Sequence, residues 1–405
     1  MESTRSIFKT SLLICLLVLT QCTTEQREKL SEIPEPSLDL KEFTAMSRNN
    51  GKIPGKYIVV LNNDPSEKGN SEAVRGKAYG LANSHGFAQQ NIEFIYSTAL
   101  QGFSVSLSIG QLKKLEKDGS IAAIYEDKIV ALAPPPGKGP GGGGNNNDPT
   151  QTTPWGITRV GGGATYTGSG VAWVIDTGID VDHSDLNVDA SRGFSAFTKG
   201  KDAGVNDGNG HGTHVAGTIA AINNSIGVIG VAAGATVIPV KVLGSRGSGS
   251  TSGVIAGVDH VAANANPGDV ANMSLGGGAY EPLDNAVIAA ASGGIIFALA
   301  AGNDSSDASN SSPARADGAN IYTISAMDSD DNFAYFSNYG APVDYCAPGV
   351  SINSTWKDGG YRSINGTSMA CPHAAGVLLV SNGNPGSSGS VNGDPDNNPD
   401  PIISL

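Results

Sequence analysis

The chain has 405 residues, of which 39% are hydrophobic, and this length allows either one large core or two domains. Its 38 acidic residues outnumber its 25 basic residues and give a formal net charge of −13. This balance argues against nucleic acid or an anionic membrane surface as a partner. It indicates an acidic, soluble protein and says nothing about the fold.

The first 22 residues have the pattern of a targeting segment. Arg5 and Lys9 precede an apolar run at 11–19, which is too short to cross a bilayer as a helix. A leucine three residues before Cys22 resembles a bacterial lipoprotein signal, in which Cys22 would carry the lipid. Gln21 stands where such signals usually have a small residue, so ordinary cleavage with full secretion stays open. Either interpretation predicts export, and a lipid on Cys22 would tether the protein to an outer membrane or cell surface.

The next two segments are predicted to be a linker and a small domain. Residues 23–50 are polar and contain proline, as linkers do. Residues 51–133 alternate strand-like and helix-like patterns in the order β-α-β-β-α-β, which predicts an α+β ferredoxin-like domain. The predicted elements are strand 56–61, helix 71–85, strand-like alternation over 94–107, helix 111–117 and strand 121–132. An independent binding module is one interpretation of this domain. Residues 134–149, rich in Pro, Gly and Asn, predict a second linker.

Two segments with candidate functional residues follow in the long remainder of the chain. Residues 171–175 are a nearly continuous apolar run, typical of a parallel strand buried on both faces, and Asp176 follows it. Open α/β sheets place their sites at that end of the strand, although Asp-Thr-Gly also makes a turn. His211 and His214 lie three residues apart on one predicted helix face. No cysteine or third histidine nearby completes a zinc site there.

A third candidate, Ser368, lies where a loop meets an apolar helical run that continues to residue 380. Such a junction exposes the hydroxyl beside free backbone N–H groups, which suits an oxyanion, although a serine there also caps helices. A serine nucleophile needs an adjacent base, and the base needs an orienting carboxylate. His211 and Asp176 have the chemistry that this serine lacks.

Three segments together resemble the subtilisin-like serine proteases, in particular the subtilisin and proteinase K branches. They read Val-Ile-Asp-Thr-Gly at 174–178, His-Gly-Thr-His-Val-Ala-Gly-Thr at 211–218 and Gly-Thr-Ser-Met-Ala at 366–370. The resemblance implies a three-layer α/β fold with a mainly parallel central sheet over residues 150–382. It also implies the catalytic roles: Asp176 orients His211, His211 acts as base and then acid, Ser368 is the nucleophile and Asn303 the oxyanion donor.

The same resemblance implies how substrate binds. The implied substrate-binding residues are Ser248, Gly249, Ser274, Leu275, Gly276, Ala300, Ala301 and Gly302. The first two would belong to an edge strand that pairs with an extended peptide, and the others to the opposite wall and the pocket. These residues are small or uncharged, so we expect broad cleavage with a preference for apolar or aromatic residues. Residues 51–133 resemble the family's inhibitory propeptide, whose tail, here 129–133, would occupy the cleft.

The loop at 221–230 closely resembles the high-affinity calcium loop of subtilisin. Calcium takes six to eight oxygen ligands, which such a loop can supply. The implied ligands are the main-chain oxygens of Ile222, Ile226 and Val228 and the side chains of Asn224, Asp185 and Gln151. A plain Asn/Ser/Gly turn is the alternative. We expect structural Ca²⁺ and no organic cofactor.

Cys346 and Cys371 are the two cysteines of the predicted peptidase region. Their spacing does not decide between a disulfide and two buried thiols. Residues 383–405 read as a polar tail where the family usually has further helical segments.

The sequence therefore predicts a secreted serine endopeptidase, made as a self-processing zymogen, monomeric and acting on proteins and peptides. A catalytically inactive surface lipoprotein that binds peptides in the same cleft is the alternative. A lipase or esterase is disfavoured, because its nucleophile lies in G-x-S-x-G and its triad follows the order Ser, Asp, His.

Overall fold

The N-terminal domain is an antiparallel sheet covered by two helices. The computed structural model describes residues 51–132 and 150–405. Its first elements are β1 (Lys52–Leu61), α1 (Ser71–His85), β2 (Ile92–Tyr96), β3 (Gly102–Ser106), α2 (Ile109–Leu115) and β4 (Ile121–Ala131). This order confirms the β-α-β-β-α-β prediction. The targeting segment with Cys22, both linkers and Ala133 lie outside the described residues, so the predictions about them stay predictions.

Local signals explain where the two helices of this domain begin and end. Asn70 caps α1 by accepting a hydrogen bond from the N–H of Ala73, and Gly86 ends it with a φ of 72°. At α2, Ser108 and Gln111 form a reciprocal capping box. These caps satisfy the end groups of the helices, so the apolar faces of both can pack on the sheet.

The large domain is built around a ten-stranded sheet. Its helices are α3 (Trp155–Arg159), α4 (His211–Ala220), α5 (Thr251–Asn264), α6 (Glu281–Ala291) and α7 (Thr367–Val380). Its strands are β5 (Ala164–Thr165), β6 (Ala172–Asp176), β7 (Asn187–Val188), β8 (Phe194–Ser195), β9 (Ala232–Ala233), β10 (Thr236–Lys241), β11 (Ser248–Ser250), β12 (Val270–Met273), β13 (Gly277–Gly278), β14 (Ile296–Ala300), β15 (Ser311–Ser312), β16 (Ile321–Met327), β17 (Tyr345–Pro348), β18 (Ile352–Trp356), β19 (Gly360–Ile364), β20 (Gly386–Ser390) and β21 (Pro401–Ser404).

The sheet is mainly parallel, with the strand order β20-β21-β17-β16-β14-β12-β6-β10-β7 and β8 beside β10. Alternate residues of β6 point to opposite faces: Val174 packs in the core that contains α4 and α7, and Trp173 in the core that contains α5 and α6. Helices thus cover both faces, which confirms the predicted three-layer α/β fold. Within residues 51–132 and 150–405, no helix is both long and apolar enough to span a bilayer.

The segment predicted as a polar tail adds two strands to this sheet. β20 and β21 pair antiparallel, and β21 runs parallel to β17 with Ile402 opposite Cys346. Ile402 and Ile403 are buried, and Val391 packs in the same cluster as Ile402. The large domain therefore extends beyond the predicted boundary at residue 382, because two isoleucines anchor an otherwise polar hairpin. Cys346 and Cys371 are both buried and free, so they are two thiols and not a disulfide.

One strand of the large domain belongs to the sheet of the N-terminal domain. The order there is β11-β4-β1-β3-β2, and β4 pairs antiparallel with β11. Residues Gly51–Leu405 form one compact unit. The end of the N-terminal domain is therefore held against β11 of the large domain.

Candidate active site

Asp176 and His211 come together although they lie on different elements. Asp176 is the last residue of β6 and is fully buried, and His211 is the first residue of α4. Nδ1 of His211 lies 2.8 and 2.9 Å from the two carboxylate oxygens of Asp176. The N–H of Thr177 donates to one of these oxygens at 2.7 Å, which fixes the carboxylate. This contact leaves Nε2 of the imidazole for proton exchange.

The environment makes His211 a stronger base than an ordinary histidine. Burial alone would lower the pKa of the ring, but the charge and hydrogen bond of Asp176, with a smaller contribution from Asp207, raise it above the ordinary value of 6.5. His214 differs, because burial lowers its pKa to about 3. Its Nε2 donates to the carbonyl oxygens of Ile352 and Arg362. The second histidine is thus neutral and ties α4 to the β18–β19 hairpin.

Ser368 lies in the first turn of α7, next to the wall residue Ser274. Its hydroxyl donates to the main-chain oxygen of Ser274 at 3.1 Å, and the Ser274 hydroxyl donates to the main-chain oxygen of Ser368 at 2.9 Å. Among the bonds of the described residues, none joins Ser368 to His211. The serine hydroxyl must therefore turn away from Ser274 before the imidazole can take its proton, and such contacts often tighten only when substrate is bound.

Asn303 is held so that its amide nitrogen faces the same space as the N–H of Ser368. The side-chain oxygen of Asn303 accepts hydrogen bonds from N and Oγ1 of Thr367, at 2.9 and 3.0 Å. A Cβ atom placed on Gly366 would lie 3.6 Å from both Nδ2 of Asn303 and N of Ser368. Gly366 has a φ of 148°, so glycine suits this backbone and also leaves the space open. Two donors aimed at one space can bind an oxyanion.

Asn338 supports this loop, and the sequence reasoning missed it. Its Nδ2 donates to the main-chain oxygen of Ala301 at 3.0 Å, and its Oδ1 accepts from the N–H of Asp304 at 2.9 Å. A Cβ atom on Gly302 would lie 2.3 Å from the Asn338 amide nitrogen. Asn338 therefore fixes the backbone on both sides of Asn303. Nothing local in the sequence marks this asparagine, since its partners lie far from it along the chain.

The predicted substrate residues lie on β11 and after two strands of the ten-stranded sheet, and the N-terminal domain already pairs with β11. Ser248 pairs with Ala131 and Gly249 with Val130, and the N–H of Leu132 donates to the Gly247 oxygen at 2.8 Å. The remaining predicted residues follow two neighbouring strands, namely Ser274, Leu275 and Gly276 after β12, and Ala300, Ala301 and Gly302 at the end of β14. Of the predicted tail at 129–133, the described residues up to 132 thus lie on the edge strand as a peptide would.

The six predicted calcium ligands also converge. The Gln151 amide nitrogen lies within hydrogen-bond distance of four oxygens, those of Ile222 (2.8 Å), Val228 (3.1 Å), Asn224 (side chain, 3.3 Å) and Ile226 (3.4 Å). Asp185 accepts hydrogen bonds from the side chain of Asn224 and the N–H of Val228. Among the described residues, no cluster of three or more His, Cys, Asp or Glu side chains could hold a metal ion. A site here would rest on three carbonyl oxygens, the side-chain oxygen of Asn224 and the carboxylate of Asp185, a donor set that suits Ca²⁺. Gln151 would join it by turning its amide oxygen inward in place of the nitrogen.

A histidine held by a buried carboxylate, a serine at a helix start and two converging donors define the site of a serine hydrolase on an α/β fold. Comparison with known proteins then gives the family. The model described as "Subtilase family" matches residues 169–390, and the model described as "Peptidase inhibitor I9" matches residues 56–133. The chain belongs to the subtilase family of serine proteases and carries an inhibitor I9 propeptide domain.

Individual relatives agree with this assignment. Alkaline serine exoprotease A of Vibrio alginolyticus is 41% identical over 340 residues, which cover 81% of this chain and 60% of that protein. M-protease of Shouchella clausii (strain KSM-K16) is 46% identical over 289 residues, covering 70% and 69% of the two chains. The extracellular serine proteinase of Thermus sp. (strain Rt41A) is 38% identical over 396 residues, covering 91% and 88%. The inactive peptide-binding alternative finds no support among these proteins.

Proposed function

We propose that the protein is an exported serine endopeptidase that cuts itself free of its N-terminal domain and is then inhibited by it. One observation carries the proposal: the end of that domain lies as an antiparallel strand on β11, and Gly247, which Leu132 binds, lies beside Asn209, whose side chain accepts from the N–H of His211. Extended peptides bind sheet edges in this way. The N-terminal domain thus presents its tail to the catalytic residues as a substrate would.

The residues present account for each step of peptide hydrolysis. Ser368 attacks the scissile carbonyl while Nε2 of His211 takes the hydroxyl proton, and Asp176 stabilises the resulting imidazolium. The oxyanion accepts hydrogen bonds from Asn303 and from the N–H of Ser368. His211 then gives its proton to the leaving amine. Water repeats the sequence on the acyl-enzyme, with His211 again as base.

Inhibition is supported by contacts outside the cleft. Asp127 of β4 accepts hydrogen bonds from the N–H and the hydroxyl of Ser252, at 3.0 and 2.6 Å, in the first turn of α5. Tyr96 donates to the main-chain oxygen of the same serine, and Tyr280 donates to that of Glu126. A carboxylate at a helix N-terminus is favourable. The domain is therefore held by its folded surface as well as by its tail, which favours retention after the bond is cut.

We also propose that the cage of Gln151, Asp185 and the 222–228 loop binds Ca²⁺ and stabilises the fold. The ion would take no part in the reaction. At a free Ca²⁺ concentration of a hundred times its Kd, the ion would stabilise the folded state by about 2.7 kcal/mol. We expect a chelator to lower the unfolding temperature of the wild type, and Asp185→Asn to remove this dependence. An unfolding temperature that does not change with chelator or added Ca²⁺ would contradict the site.

Export is proposed from the targeting pattern of residues 1–22 and from relatives such as the Thermus proteinase named as extracellular. The lipid tether through Cys22 gains no support from the comparisons and stays a sequence prediction. Intact mass of the protein recovered from membranes would detect the lipid.

The test of the proposed function is incubation of the purified precursor with calcium, followed by intact mass and casein hydrolysis. We expect the wild type to trim itself between about residues 133 and 150 and then to cleave casein. The matched Ser368→Ala precursor should do neither. A folded wild type that stays full length and inert, even after added protease removes the N-terminal domain, would refute the proposal.

A further inference from the structure

The first turn of α4, which carries His211, is held by side chains from outside the helix. Its N-cap residue Gly210 has no side chain to satisfy the end groups, which otherwise need partners. Instead, three acceptors bind the first three N–H groups: Asn209 Oδ1 for His211 (3.2 Å), Thr177 Oγ1 for Gly212 (2.9 Å) and Asp207 Oδ2 for Thr213 (3.0 Å). The position of the imidazole therefore depends on these three side chains.

Asp207 is the charged member of this set and makes the most contacts. Its Oδ1 accepts from the N–H groups of Asn209 and Gly210, at 2.8 and 2.9 Å. Its Oδ2 accepts from the hydroxyl of Thr213 at 2.7 Å as well as from the N–H of that residue. Asp207 is 5% exposed, so its charge is poorly screened by solvent. It thus binds the loop that leads into α4 and the first turn of α4 together.

We propose that Asp207 is a positioning residue of the reaction: its carboxylate fixes the first turn of α4, and its negative charge stabilises the imidazolium that His211 forms on taking the serine proton. The proposal rests on the proteolytic function proposed above. It assigns to Asp207 a share of the electrostatic role that Asp176 has through direct contact.

The other charged groups around α4 do not supply this stabilisation of the His211 imidazolium. Asp176 faces His211 from β6, and the neutral His214 lies on the same helix. On β10, Lys241 donates to the main-chain oxygen of Asn206, and burial lowers its pKa while the charges of Asp202 and Asp207 oppose that shift. The guanidinium of Arg362, from the β18–β19 hairpin, lies over the ring of Trp356. Asp176 and Asp207 are also the two groups whose charges raise the pKa of His211.

The test compares Asp207→Asn and Asp207→Glu with the control Asp202→Asn. Asp202 accepts a hydrogen bond from the N–H of Ser245 and also faces Lys241, but bonds to no atom of α4. The measurement is the pH profile of kcat and kcat/KM for a peptide substrate at low and at high salt. Asp207→Asn should lower kcat by about tenfold and move the acid limb of kcat/KM down by about half a pH unit, at both salt concentrations. Asp207→Glu keeps the charge, so kcat should fall while the limb stays near its wild-type position.

An acid limb in Asp207→Asn that matches the wild type would overturn the inference, even if kcat falls. A wild type without proteolytic activity would instead refute the proposed function, so the two failures are distinguishable. If Asp207→Asn does not process itself, the substitution can be made in the Ser368→Ala precursor and the titration of His211 followed by NMR. A His211 titration unchanged by Asp207→Asn would then overturn the inference.

Discussion

Replacing Asp259 with asparagine should release the inhibitory domain from the peptidase. Asp259 lies on α5 and is 8% exposed. Its two oxygens accept hydrogen bonds from three successive N–H groups in the loop between β2 and β3: those of Ser97 (3.0 Å), Thr98 (2.7 Å) and Ala99 (2.8 Å). One carboxylate of the peptidase thus holds the turn of the domain that inhibits it.

The size of the effect follows from these contacts. A hydrogen bond to a charged group contributes about 1.5–3 kcal/mol, and here three of them share one carboxylate. Burial opposes part of this gain, and it raises the pKa of Asp259 although the N–H groups lower it. Asparagine would keep one acceptor oxygen but would set an NH₂ group against an N–H group. We therefore expect a loss of about 3 kcal/mol, which weakens the complex about 150-fold.

The assay is dilution of the self-processed complex, with the return of casein hydrolysis giving the apparent Kd and the release rate. The matched control is Asp189→Asn, because Asp189 lies on the peptidase surface and its carboxylate accepts hydrogen bonds within its own turn, from the N–H and hydroxyl of Ser191. If Asp259→Asn changed the apparent Kd by less than about threefold, the effect would be no larger than that of a single weak contact. That result would refute the reasoning.

Three further predictions concern stability and pH. Arg159 binds both carboxylate oxygens of Asp331, at 2.8 and 2.9 Å. Arg159→Lys should lower the free energy of unfolding by about 1 kcal/mol, since lysine cannot match this fork and the pair is partly exposed; urea unfolding in the nucleophile variant measures it. Burial and neighbouring aspartates raise the pKa of Asp400 to about 7 from 3.8, so the cost of ionising it is absent below 3.8 and full above about 7. Asp400→Asn should therefore raise the unfolding temperature at pH 8 and change it little at pH 4, whereas an equal shift at both would contradict the assignment. Finally, Asp176 offsets the burial of His211 and raises its pKa, so the acid limb of kcat/KM should lie above pH 6.5. A limb below that value in a pH–rate profile would be inconsistent with the site.

The features that the sequence predicted well are those with local or motif signals. Helix α1 begins and ends where predicted, because Asn70 and Gly86 are cap residues adjacent in sequence to the segment they bound. Asp176 was placed by the apolar run that precedes it, since a strand buried on both faces ends at the site edge of a parallel sheet. The motif around His211 and the setting of Ser368 gave the family. The roles of these residues came from that resemblance and not from the pattern alone.

The features that were missed depend on contacts between distant parts of the chain. Asn338 and Asp259 each bind backbone groups far away in sequence, and an Asn or Asp in a polar context carries no mark of such a partner. The closing hairpin has a polar Gly/Ser composition, and its strand β21 gains a partner only once β17 is in place. Burial of Ile402 follows from that pairing and not from periodicity. Long-range pairing is the information that a single sequence does not display.

The inhibitory tail and a substrate differ in what surrounds them and not in how their backbones bind. Residues 129–131 pair with β11 through main-chain groups that any extended peptide has. If the tail alone supplied the affinity, substrates would displace it readily after the first cut. Asp127 of the N-terminal domain binds Ser252 of the peptidase, and Asp259 of the peptidase binds the loop between β2 and β3. Both contacts lie away from the paired tail and need a folded N-terminal domain. The extra affinity of the inhibitor over a substrate therefore comes from the folded surface of the N-terminal domain. We expect lasting activity to require degradation of that domain and not competition in the cleft.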